Sequence, residues 1–274
     1  MVFQRFWKAF TPAPVQIDAN STDGRIVYAI GDIHGHDALL NALLRKIATV
    51  VNQARATTRP IIVFLGDYID RGPDAKRVVE RLISLQRHNA LEVYCLKGNH
   101  EQMLLRFYNS ATVGPVWARY GGRATLESYG VIAPREEKDL PGWEAARLEF
   151  QRALPQPHLE FYNSLILHIT VGDYFFVHAG VRPGVALDNQ TEADLIWTKG
   201  KFLTEKRPFG KIIVHGHTTA DEVSIAHNRI GVDTGAYATG VLSAIRLEGA
   251  TQTVFDTSDA PWPGLKKTHS YPVS

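Results

Sequence analysis

Cysteine is nearly absent from this chain: Cys95 is the only one in 274 residues, so no disulfide can form within the sequence. A disulfide-stapled secreted scaffold is thereby excluded, and a reducing cytoplasm is the expected compartment. Cys95 lies in the apolar run Val93-Tyr94-Cys95-Leu96, which reads as a buried core position rather than a reactive thiol. Long hydrophobic runs are also missing, so no segment is expected to span a bilayer. Nor does one sign of charge dominate. Lys plus Arg number 30 against 28 Asp plus Glu, which gives no whole-protein field for nucleic acid, and no nucleic-acid partner is expected. The first ten residues carry Phe3, Phe6, Trp7 and Phe10 at helix-like spacing around Arg5 and Lys8, without the continuous apolar core of a secretory signal. Residues 1–24 read as an N-terminal tail, docked or frayed, with a weak interfacial membrane helix as the alternative. Internal repeats, low-complexity segments and any sign of an obligate partner are likewise lacking.

What is present is a composition of 45% hydrophobic and 21% charged residues, that of a soluble domain with a substantial core. Ile26 to Ile30 reads as a buried strand, and Asp37 as the start of a helix with Leu40, Leu43, Leu44, Ile47 and Val51 on one face. Ile61 to Leu65 is a second strand and Leu91 to Leu96 a third. Between them runs a helix from Asp74, and a further helix covers Glu101 to Tyr108. This β-α-β-α-β order predicts a parallel sheet with right-handed crossovers. Residues 109–164 break the rhythm with Gly121-Gly122, Pro134 and Pro141-Gly142, and are read as a helical cap beside the site. Strands return at Leu165 to Thr170 and Tyr174 to Val177, flanking a Gly172-Asp173 turn. More are expected at Lys211 to Val214, Arg229 to Val232, Val241 to Leu247 and Thr251 to Phe255. One domain over 25–258, with two sheets and flanking helices, fits this pattern, and 259–274 form a C-terminal tail.

Polar motifs punctuate the strand ends: Gly31-Asp32-Ile33-His34-Gly35, Gly66-Asp67-Tyr68-Ile69-Asp70-Arg71-Gly72, Gly98-Asn99-His100-Glu101 and His215-Gly216-His217-Thr218. Asp32 and Asp67 are 35 residues apart and Asp67 and Asn99 are 32 apart, each about one βαβ unit. The first three motifs therefore meet at the carboxyl edge of adjacent strands, where open α/β sheets bind ligands. His178 and His217 end two later apolar strands. An isolated Asp-x-His or strand-end histidine is more often structural. Six suitable donors at matching ends, Asp32, His34, Asp67, Asn99, His178 and His217, instead point to metal, with Asp67 able to bridge two cations. No thiolate is available, so mixed oxygen and nitrogen donors suit Mn²⁺, with Fe or Zn²⁺ as alternatives. Two such ions would clamp a phosphoryl group and activate a bridging water, without a nucleophilic Ser or Cys. The leaving oxygen needs a proton, and His100 can supply it if Asp70 holds and charges its imidazole. The planar fork of Arg71 suits two phosphate oxygens.

These motifs resemble those of the calcineurin-like metallophosphoesterases, in particular the bacterial phosphoprotein phosphatases, marked by GDxHG, GDxxDRG, GNHE and two later histidines. The likeness runs from about Arg25 to Phe255. It implies an α/β fold, a two-sheet β-sandwich flanked by helices (α/β/β/α), with a dinuclear, commonly manganese-dependent site. By motif position one metal takes Asp32, His34 and Asp67, and the other Asp67, Asn99, His178 and His217. Asp70 and His100 become the acid pair and Arg71 the phosphate clamp. The chain departs from the pattern at Lys199, where bacterial relatives tend to have the arginine of Trp-x-Arg. Lysine keeps the charge and loses the fork, so Arg119, Arg123 or Arg182 are alternative second contacts. It departs also at Thr219, where related nucleases tend to have a second histidine. The resemblance implies first a serine/threonine protein phosphatase, acting on a phosphorylated protein or small phosphoester. The alternative is a nucleotide hydrolase like the symmetrical diadenosine tetraphosphatases, which tend to lack the aspartate equivalent to Asp70. A non-catalytic scaffold is a third reading, opposed by the intact ligands and His100. Beside the ligands, His215 is read as support, His36 and His168 as structural or surface groups, and Tyr237 as either a site neighbour or a packed aromatic.

Overall fold

The computed structural model describes residues 21–54, 59–88 and 90–259; the N-terminal aromatic segment and residues 260–274 lie outside them. Strands β1 (Ile26–Ile30), β2 (Ile61–Phe64) and β3 (Glu92–Cys95) alternate with helices α1 (Asp37–Ala54) and α2 (Ala75–Gln86), followed by α3 (Asn99–Asn109). Short helices α4 (Gly114–Trp117) and α5 (Arg123–Ser128) and longer ones α6 (Leu140–Ala153) and α7 (Gln156–Ser164) make up the insertion. The second half runs β4 (His168–Val171), β5 (Tyr174–Val177), α8 (Glu192–Trp197), α9 (Lys201–Thr204), β6 (Ile212–His215), β7 (Ser224–Ile225), β8 (Arg229–Gly231), α10 (Ala236–Thr239), β9 (Ser243–Glu248) and β10 (Thr251–Asp256).

Among the described residues ten strands form two mixed five-stranded sheets, ordered β10-β9-β1-β2-β3 and β4-β5-β6-β8-β7. β1, β2 and β3 are parallel, as are β5, β6 and β8, so the chain leaves both sets at one edge of the sandwich. Side-chain alternation decides the layering. In β1, Val27 and Ala29 enter the core between the sheets, while Tyr28 and Ile30 enter the core beneath the helices. In β5, Tyr174 and Phe176 face the other sheet, whereas Phe175 and Val177 pack with Leu195, Ile196 and Phe202 of α8 and α9. The result is the α/β/β/α sandwich expected from the sequence.

The insertion does not stand apart from this core. Trp117, Leu126, Trp143, Phe150 and Phe161 share one apolar cluster with α2 and α3. Thr22, placed in the N-terminal tail by the sequence reading, is buried, and its hydroxyl binds the Arg25 carbonyl. The helix expected from Glu101 starts at Asn99, because its first turn is polar and carries no apolar period. The two-residue strand β7 was too short for alternation to reveal. Phe176 is fully buried between the sheets, so Phe176→Ala is expected to destabilise the protein by about 3–5 kcal/mol, read from the midpoint of denaturant unfolding; a change under about 1 kcal/mol would contradict this core assignment.

Candidate active site

The loops at the carboxyl edge hold unusual backbone. Among the described residues six non-glycine residues have positive φ, and five of them belong to the motifs: His34 (47°), Asp67 (52°), Asp70 (69°), Arg71 (67°) and His217 (61°). Such left-handed residues cost energy and persist where surrounding bonds over-determine them. Glu101 supplies much of that bonding. Its buried carboxylate accepts the backbone N–H groups of Asp67 (2.9 Å), Tyr68 (2.8 Å) and Gly98 (2.9 Å), tying the β2 loop to the β3 loop. A Cβ at Gly98 would strike the Asp67 carboxylate. Sequence reasoning gave Glu101 no role, though it ends the Gly98-Asn99-His100-Glu101 motif at the third position of α3.

The side chains gather round Asp67. Its Oδ2 faces His34 Nε2 at 3.8 Å and His100 Nε2 at 3.7 Å, and its Oδ1 faces His178 Nε2 at 3.4 Å. Two triplets, His34-Asp67-His100 and Asp67-His178-His217, bring their donor atoms within 4.8 Å of one another. Asp67 is common to both. Nδ1 of His34 donates to the Ile69 carbonyl (2.8 Å), and Nδ1 of His178 donates to the Leu65 carbonyl (2.8 Å). Each bond leaves the Nε2 lone pair facing the pocket, the usual orientation of a ligating imidazole. His178 Nε2 then meets Asn99 Oδ1 at 2.9 Å, two acceptors in contact, which calls for a cation. The buried His217 Nε2 has no hydrogen-bond partner.

Titration sorts these histidines. Burial pushes His34 and His178 below the usual imidazole range, and His217 down to about 3. All three are therefore neutral, as metal ligands must be. For His100 burial also lowers the pKa, but the carboxylates of Asp67 and Asp70 outweigh it and raise it to about 9. A protonated His100 is not suited to be a ligand, although it stands in the triplet where Asp32 was expected. Asp32 lines the same pocket, and its carboxylate accepts the His217 N–H (3.1 Å). Burial and its neighbours Asp233 and Asp67 raise the Asp32 pKa well above normal. Burial likewise raises Asp233, which the sequence reading missed; it accepts from Thr219 Oγ1 (2.9 Å) and lines the pocket. Three buried carboxylates and three neutral imidazoles fit divalent metal.

The insertion braces the carboxylate that holds His100, the candidate proton donor. His100 Nδ1 donates to Asp70 Oδ2 (2.6 Å), which also accepts the Trp117 indole N–H (2.8 Å). The Thr125 hydroxyl donates to Asp70 Oδ1 (2.5 Å) and accepts the Asp70 N–H (2.8 Å). Trp117 and Thr125 flank residues 118–122, where the helical path is kinked at Gly121 (φ 105°). The Gly121 carbonyl accepts the Arg71 N–H (3.2 Å), and a Cβ there would lie 2.7 Å from that nitrogen. Neither Trp117 nor Thr125 carries a local sequence signal for this role.

Of the proposed phosphate contacts, Arg71, Asn99 and Lys199 line the pocket. Arg71 lies 4.1 Å above the Tyr237 ring, which therefore borders the site. Arg119, Arg123 and Arg182 are not among the lining residues. Arg119 pairs with exposed Glu137, while Arg123 binds the Pro134 carbonyl (2.6 Å) to brace the insertion. The backbone of Arg182 is held by Gln190, in the loop after β5. His215 packs its ring on Phe202 at 5.0 Å and bonds the Gly216 carbonyl (3.0 Å), and His168 stacks on Phe175 at 4.7 Å.

Residues 26–242 match the family model for calcineurin-like phosphoesterases. The chain is similar to the asymmetrical bis(5'-nucleosyl)-tetraphosphatase PrpE of Oceanobacillus iheyensis, with 26% identity over 80% of this chain and 87% of that one. Its counterpart of the same name in Anoxybacillus flavithermus is 28% identical over 86% of this chain and 96% of that protein. Among solved structures, one described as a candidate diadenosine tetraphosphatase superposes with a TM-score of 0.59 at 20% identity, covering 88% of this chain and 96% of its own. The fold is shared also with a cold-active protein-tyrosine phosphatase from a psychrophilic Shewanella, with a TM-score of 0.50 at 20% identity, over 84% and 80% of the two chains.

Trp117→Phe removes one donor to Asp70; kcat should fall about tenfold with KM little changed, and steady-state kinetics with an unaltered kcat would show that the indole bond is idle. Asp67→Asn should abolish binding of at least one divalent ion, measured by elemental analysis after dialysis; full loading would remove Asp67 from its central place.

Proposed function

The chain belongs to the calcineurin-like phosphoesterase family, and from that premise we propose a nucleotide hydrolase that cleaves a dinucleoside polyphosphate unsymmetrically. Hydrolysis of phosphoric esters is common ground between this reading and the family. The substrate is the finer step. It is supported above all by relatives aligned along nearly their whole length, 87% and 96% of each, that carry the name of an asymmetrical bis(5'-nucleosyl)-tetraphosphatase. The motifs alone put a serine/threonine protein phosphatase first and the nucleotide hydrolase second; the relatives reverse that order.

The proposed ligands are Asp32, His34, Asp67, Asn99, His178 and His217. The fold implies a dinuclear divalent centre, and the oxygen and nitrogen donors favour Mn²⁺, with Fe or Zn²⁺ as alternatives. Bound there, the ions would supply Lewis-acid polarisation of phosphoryl oxygens and acidify water. The remaining work falls to the chain. Arg71 and Lys199 have no carboxylate partner among the described residues, which leaves both charges for phosphoryl oxygens. His100 gives its Nε2 proton to the leaving oxygen. Asp70 holds the imidazole by Nδ1 and stabilises its charge, while Trp117 and Thr125 keep the Asp70 carboxylate in place.

Products released by the Mn²⁺-loaded protein from diadenosine tetraphosphate and from a phosphoserine peptide test the reading. Adenosine triphosphate and monophosphate in equal amounts, formed faster than phosphate from the peptide, are expected. Faster turnover of the peptide would return the protein-phosphatase reading to first place.

A further inference from the structure

We propose that Tyr120 and Trp197 form a subsite for a planar aromatic group on the leaving-group side of the phosphoester. The inference deepens the nucleotide reading and rests on it for the identity of the planar group. Its first ground is size. The site cavity is about 230 Å³, below the roughly 300–1,000 Å³ of pockets that enclose a whole small ligand. It suits phosphoryl groups, and the rest of a nucleotide must lie across the rim.

The leaving oxygen must come within hydrogen-bond reach of the acid, so the leaving group lies beside His100. The Tyr120 ring stands there, 6.3 Å from the His100 ring at 90°, and Trp197 continues the wall 6.5 Å from Tyr120 at 70°. Both line the cavity. Tyr120 is 47% exposed, so an aromatic face is open to solvent at the mouth of a charged pocket. Tyr237 is 37% exposed, but its ring is covered by the Arg71 guanidinium at 4.1 Å and meets the His34 ring at 5.4 Å. Tyr120 is the more exposed of the two rings and the one that meets His100.

Both rings are held in place. Tyr120 directly precedes the kink at Gly121, between Trp117 and Thr125, the two residues that bind Asp70. The Trp197 indole N–H donates to Gln102 Oε1 (2.9 Å), fixing the ring against α3. Lys199, two residues on, also lines the cavity and puts a cation beside the rings for the intervening phosphates. A nucleobase and a tyrosine ring share the required chemistry.

The test compares wild type, Tyr120→Leu and Tyr120→Phe, all Mn²⁺-loaded, on phenyl phosphate and glycerol 2-phosphate, with adenosine monophosphate and inorganic phosphate as competing inhibitors. Tyr120→Leu should lose about tenfold in kcat/KM on phenyl phosphate, the order of one lost stacking contact, and about twofold or less on the aliphatic ester. Tyr120→Phe should restore the preference. Weaker inhibition by adenosine monophosphate, with inhibition by inorganic phosphate retained, would assign the subsite to a base. Unmoved nucleotide inhibition with the phenyl phosphate loss intact would assign it to a tyrosine ring. Equal losses on both esters would overturn the proposal, leaving Tyr120 as a support for His100; so would an unchanged preference for phenyl phosphate in Tyr120→Leu. Failure of wild type to cleave diadenosine tetraphosphate sinks the nucleotide reading alone, because the two simple esters still report on the subsite.

Discussion

One buried negative charge, the Asp67 carboxylate, organises the carboxyl edge of both sheets. Placing a carboxylate in an interior without partners would cost several kcal/mol. Here burial tends to raise its pKa, and the surrounding imidazoles, of which His100 is the one that keeps its proton, outweigh that and hold it well below the usual carboxylate range. The backbone of Asp67 is fixed separately, by Glu101. The Asp67 carbonyl also accepts the N–H groups of Ile33 (3.1 Å) and His34 (2.9 Å), and its two carboxylate oxygens face different histidines.

The same crowding divides the histidines by task. His34 and His178 spend Nδ1 on backbone carbonyls and are kept neutral by burial. His100 spends Nδ1 on a carboxylate instead, and a second carboxylate faces its Nε2, so it keeps its proton. A single difference in the Nδ1 partner, carbonyl or carboxylate, separates the neutral imidazoles from the protonated one. Environments that drive neighbouring groups to opposite protonation states are how one site accommodates both tasks.

The insertion completes the acid. Asp70 is fully buried and would be costly if its oxygens were only partly bonded. Trp117 and Thr125 satisfy the bonds that His100 leaves, and Gly121 lets the same segment pass against the Arg71 backbone. The segment that frames the rim is thereby also the one that aligns the proton donor. No helix among the described residues is long and apolar enough to cross a membrane.

Most of the layered fold and the list of polar groups at the strand ends were legible in the sequence. Strand period and βαβ spacing place Asp32, Asp67 and Asn99 at one edge whatever the side chains do later, since register follows from alternation and connection length. Chain order also carried the acid pair, because Asp70 follows Asp67 by three residues and His100 follows Asn99 directly. Contacts between distant segments were decided only by the tertiary structure. Glu101 as a clamp, Trp117 and Thr125 on Asp70, and Asp233 beside Asp32 are separated by 33 to 201 residues in sequence. No local period encodes them. That Lys199 lines the pocket while Arg119, Arg123 and Arg182 are not among its lining residues was likewise tertiary: a cation's reach depends on where its backbone lies and which carboxylate or carbonyl claims it first, and composition is silent on both.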